Sequence, residues 1–89
     1  MRKVELTFLE LRERSQDNLI GFLVTDLGLG ETMLKMAQTT QISEHRLRLL
    51  GNVQAILRAV EHFEGRIEDR KIRSEIHDQA DKLKKASLK

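Results

Sequence analysis

Leu49-Leu50-Gly51-Asn52-Val53-Gln54-Ala55-Ile56-Leu57-Arg58-Ala59-Val60-Glu61-His62-Phe63 is the stretch that decides the fold class. Leu49, Val53, Ile56, Val60 and Phe63 recur at four, three, four and three residues. That spacing lines apolar side chains along one face of an α-helix. Ala55 and Ala59 leave room for a neighbouring helix to approach closely. Upstream, Ser43 is a good N-cap and Glu44 sits where the helix dipole favours an acid. Ile42 and Leu47 occupy the positions of a hydrophobic staple. Gly65 stands where a C-terminal cap belongs. These signals predict a helix over 44–64.

Working outward, Ile20, Leu23, Leu27, Leu34 and Ala37 mark one face of a helix over 18–40, with Asp17 as its N-cap and a break at 15–18. Phe22, Leu29, Met33 and Met36 mark a second, adjacent face. A helix with one partner shows one stripe. Two stripes place this helix centrally or against another chain. Gly21, Gly28 and Gly30 each cost about 1 kcal/mol of helix stability against alanine, and they permit close approach of a neighbour. Gln38-Thr39-Thr40-Gln41 reads as a helix end and turn. The two helices match in length and share a short connection, so they should form an antiparallel hairpin.

A last helix is predicted over 67–86 from Ile67, Ile72, Ile76, Ala80 and Leu83. Asp69–Arg73, Asp78–Lys82 and Asp81–Lys85 are acid-first pairs four residues apart, each adding a few tenths of a kcal/mol. Residues 1–14 are ambiguous: Val4, Leu6 and Phe8 alternate as in a strand, while Val4, Phe8 and Leu11 fit a helix face. A capping box at Thr7 and Glu10 favours a short helix starting at Phe8. The expected architecture is one all-α domain over 1–89, with three to four helices in an antiparallel hairpin or bundle.

Composition narrows the function classes. The chain has 89 residues, 34% charged and 39% hydrophobic, which suits a folded, heavily solvated helical domain that is marginal alone. It has no proline to interrupt a helix and no cysteine for a disulfide, a thiolate nucleophile or a zinc site. The charged N-terminus reads as no signal peptide. The least charged run, 18–25, falls short of the roughly 20 apolar residues a bilayer requires. A cytoplasmic protein with no membrane partner is the expectation. Residues 1–43 hold five basic and six acidic groups, whereas 44–89 hold eleven and eight. The net charge of +2 is too small for strong non-specific binding to nucleic acid.

His45, His62 and His77 lack partners at metal-ligand spacing. Ser43-Glu44-His45-Arg46, followed by Asn52 and an apolar seam, loosely resembles the phosphoacceptor helix of dimeric histidine kinases, although Asn52 comes about two residues late. The resemblance implies phosphotransfer through His45. Leu50 to Ile56 is similar to the turn and recognition helix of bacterial repressors. Asn52 and Arg46 stand where that pattern wants apolar residues, and the unbroken periodicity through Gly51 favours one continuous helix. Arg66, Arg70, Lys71 and Arg73 form a basic patch that would suit phosphates or an acidic partner, but Glu64, Glu68, Asp69 and Glu75 interleave with it. Gly28-Leu29-Gly30 lacks the Lys-Ser/Thr of a P-loop. No catalytic, cofactor or metal residues are expected.

From Phe22 to Phe63 the chain resembles a single helical hairpin of the tetratricopeptide type, with Ala37, Ala55, Ala59 and Phe63 at its small and aromatic packing positions. It also looks like small uncharacterised bacterial proteins that carry one such hairpin. The aromatic residue of the first helix, the terminal proline and a second repeat are missing. The resemblance implies protein–protein binding. The leading expectation is a non-enzymatic helical interaction module, a homo-oligomer or one part of an assembly, using Phe22, Leu29, Met33 and Met36. The runner-up is a nucleic-acid-binding regulator using Arg46, Arg48, Arg58 and the 66–73 cluster.

Overall fold

The computed structural model describes the backbone of residues 2–88 and the side chains of residues 14–88. Among the described residues the chain is all-α: α1 (Arg2–Thr39), α2 (Ser43–Phe63), a 3-10 turn (Glu64–Arg66) and α3 (Arg70–Ser87). The first two helices form the expected antiparallel hairpin. Phe22 of α1 meets Phe63 at the far end of α2, and Ala37 meets Arg46 at the near end. The third helix lies along the seam between them. Leu83 of α3 and Ile56 of α2 both approach Gly30 of α1.

The largest departure from expectation is the length of α1. The predicted break at 15–18 and the Asp17 cap are absent, and the helix runs unbroken from Arg2, ahead of Phe8. The polar run Ser15-Gln16-Asp17-Asn18 costs only a few tenths of a kcal/mol per residue in a helix. With no proline to remove a hydrogen bond, that cost does not stop the helix. Gln16 also gains a tertiary role there. Its Nε2 donates to the Arg66 carbonyl at 3.0 Å and its Oε1 accepts from the Glu68 amide at 3.0 Å. Gln16 therefore marks the level where the hairpin ends. A helix of 38 residues is about 57 Å long at 1.5 Å per residue, against about 32 Å for α2. The N-terminal turns of α1 project past the hairpin, and the molecule measures 61 Å along its long axis. The expected contacts of Val4, Leu6 and Phe8 lie outside the described side chains.

The core follows the two strong periodicities. Leu23, Leu27, Leu34 and Ala37 of α1 are buried with Leu49, Val53 and Val60 of α2 and Ile76, Ala80 and Leu83 of α3. Ile20, Ile56 and Phe63 are half-buried at its margin. Leu57, outside the predicted stripe, is buried too, because α3 as well as α1 packs on α2. Gly30 is the one glycine that a close approach requires. A Cβ there would lie 2.8 Å from Leu83 Cδ2, whereas nothing lies within 4 Å of one at Gly21 or Gly28.

The helix ends differ from their sequence signals. Ser43 is the first helical residue and Ile42 takes the cap position with no side-chain bond. Ile42 and Leu47 remain 65% and 70% exposed, so no staple buries them. Gly65 lies inside the 3-10 turn with no positive φ. Helix α3 starts at Arg70, three residues later than expected, because Asp69 caps it: Oδ1 accepts from the Lys71 amide at 2.9 Å and the Ile72 amide at 3.1 Å. Ile67 precedes α3 and is buried as a plug beneath the turn. Of the three predicted ion pairs, Asp81–Lys85 forms at 2.9 Å. It lowers the Asp81 pKa and raises that of Lys85, in both cases chiefly through their hydrogen bond.

Candidate functional site

The second stripe of α1 is where sequence and structure converge. Phe22, Leu29 and Met36 are 51%, 47% and 45% exposed, and Met33 is half-buried beside them. At 100° per residue these positions lie roughly 60–120° round the helix from Gly30, the position that meets α3. The stripe thus borders the face of the hairpin that α3 leaves uncovered. Phe63 extends it onto α2, its ring edge-on to Phe22 with centroids 6.5 Å apart. Phe63 has two further ring contacts: His62 lies edge-on at 4.8 Å and the Arg66 guanidinium lies 5.0 Å from the ring centroid. That cation–π contact fixes Arg66 at the patch margin.

The basic residues divide into engaged and unengaged groups. Arg46 serves the fold. Its Nε donates to the Ala37 carbonyl at 3.2 Å and Nη2 to the Thr40 carbonyl at 2.8 Å. Carbonyls at a helix C-terminus need such donors, and their partial negative charge attracts a cation. Arg66 rests on Phe63. The side chains of Arg70 and Arg73 make no hydrogen bond or ion pair among the described residues, although the sequence interleaves acids with them. Asp69 is turned into the α3 cap, and Glu64 faces His77, its oxygens 3.0 and 3.2 Å from Nδ1. Arg70, Arg73, Ser74 and His77 line one crevice, of about 430 Å³, against Glu64 and Gly65.

Histidine chemistry sorts the same way. His45 is exposed in the first turn of α2, and His62 is packed on Phe63. His77 has its pKa raised above the ordinary imidazole value, first by the hydrogen bond to Glu64 and then by that carboxylate's charge. No trio of metal-ligating side chains gathers among the described residues. None of their helices is long and apolar enough to cross a membrane. Sequence reading missed the Glu64–His77 pair, since the partners are 13 residues apart and meet only because α3 folds back beside the turn. Comparison with protein-family models, curated proteins and solved structures finds no match to the chain.

Proposed function

We propose that the protein is a non-enzymatic helical assembly module that self-associates through the outer stripe of α1. The single observation carrying this reading is the row Phe22, Leu29, Met33 and Met36, half-exposed beside the uncovered face of a three-helix arrangement. An apolar patch of this kind on a small domain is characteristic of an interaction site. A second copy related by a two-fold axis supplies the same stripe in return, which completes a bundle around α1 and α2. The two methionines suit such a contact, because their unbranched thioether chains adjust to the facing surface. The size of the chain points the same way, since a domain this small gains stability from oligomerisation.

The test is molar mass by light scattering, for the native chain and for Phe22→Asp/Met33→Asp. The native chain should run as a dimer or higher oligomer and the double variant as a helical monomer. An oligomer that survives both substitutions with the fold intact would overturn the reading.

A further inference from the structure

The crevice at the start of α3 is lined by basic and hydroxyl side chains. Arg70, Arg73, Ser74 and His77 stand three, four and seven residues apart on one face of the first turns of α3. The 3-10 turn forms the opposite wall. Gly65 presents no side chain there, and a Cβ on it would meet nothing within 4 Å. Among the described residues, the two guanidiniums and the Ser74 hydroxyl have no partner. Guanidinium forks match the oxygens of a phosphoryl group in geometry as well as charge. The one carboxylate in the wall, Glu64, is held by His77 and its side chain is only 19% exposed.

We propose that this crevice binds the terminal phosphate of a phosphate monoester, with Arg70 and Arg73 gripping its oxygens and Ser74 and His77 donating hydrogen bonds. The site is local. Further along the same face come Asp81, paired with Lys85, and Lys84, paired with Glu61 at 3.8 Å, so the unpaired basic side chains end at the crevice. A phosphodiester strand wants cations spaced along a groove, whereas these four side chains line a single crevice, which suits one terminal group. His77 couples the site to pH. Glu64 faces it from the turn, and Glu61 borders the adjoining groove from α2. Asp78, Asp81 and Lys84 share its helix, and Arg73 shares its crevice. Protonation neutralises Glu64 and leaves Arg70 and Arg73 unopposed.

The experiment is an NMR titration of the full chain with O-phosphoserine, serine, sulfate and a short single-stranded oligonucleotide. O-Phosphoserine should shift the resonances of 64–77 saturably and serine should not. Arg73→Ala should weaken binding about tenfold, the loss of one charge-assisted contact. Arg48→Ala, on the outer face of α2, should leave it unchanged. Sulfate keeps its charge across pH 5.5–8.5, so tighter sulfate binding at the acid end, abolished in His77→Gln, reports the protein's own titration. Failure of O-phosphoserine to saturate, or its indifference to Arg73→Ala, would overturn the proposal. So would tighter binding of the oligonucleotide that is lost in Arg48→Ala, which would assign the phosphate contacts to an extended nucleic-acid face.

Discussion

Helices α1 and α3 pack on the same partner and are built in opposite ways. Helix α3 has one apolar line, with Ile76, Ala80 and Leu83 buried and Ile72 and Ala86 half-buried, polar residues elsewhere, a side-chain cap at Asp69 and an ion pair in its last turns. Helix α1 has two apolar faces, three glycines, no basic residue in its last turn and more length than the hairpin can cover. Even its C-terminal carbonyls are served from α2, by Arg46. The difference is one of self-sufficiency. Short-range signals in α3 stabilise it locally and leave its outer surface free for polar chemistry. Helix α1 takes its stability from what packs on it.

That contrast can be broken first at its strongest point. Leu23 is fully buried in α1. Leu23→Ala should cost about 3 kcal/mol, the usual loss for an emptied core leucine. Phe22→Ala, one position away on the outer stripe, should cost a monomer far less. Urea denaturation under monomeric conditions checks both. Equal losses would mean that the outer stripe is packed within the monomer.

The glycines sharpen the comparison at the next level. Gly28→Ala should stabilise the chain by about 0.5–1 kcal/mol, because alanine is the better helix former and the added methyl meets nothing. Gly30→Ala gains the same propensity but must push Leu83 Cδ2 aside, so its net effect should be smaller. Thermal melts of the two variants measure the difference directly. Identical shifts would show that α1 and α3 do not touch at Gly30.

The smallest effect is at the joint between the turn and α3. Because Glu64 raises the His77 pKa, folding binds that proton more tightly. The resulting stability is complete below the unfolded-state pKa, about 6.5, and is lost as pH rises through the higher folded value. Glu64→Gln should flatten this part of the pH profile in urea melts from pH 5.5 to 8.5. An unchanged slope would mean that the pair does not form in solution.

Much of the fold was legible in the residues. The four-three spacing of α2, the core face of α1 and the apolar line of α3 each survive as buried seams. The doubly striped α1 was legible for the same reason, since periodicity reports burial and its excess reports a face without a partner. The boundaries were less so. Asp17, Ser43 and Gly65 carry cap chemistry that the chain does not use, because a cap residue only lowers the cost of stopping where tertiary packing lets a helix stop. At 15–18 packing does the opposite, with Gln16 bonded across to Arg66 and Glu68.

By itself the sequence determined that this protein is helical, which faces seek burial and that its basic residues gather in the second half. These are local or periodic properties, set by residues within a turn or two of each other. Tertiary structure alone decided which charges remain unpaired. Asp69 and Arg73 read as a pair in the chain, and Glu64 as one of the acids interleaved with the basic cluster. Folding sends Glu64 to His77 and Asp69 to an amide cap, and leaves the Arg73 guanidinium facing an open crevice. Such pairing depends on distances across the fold, and those exist only once α3 has docked.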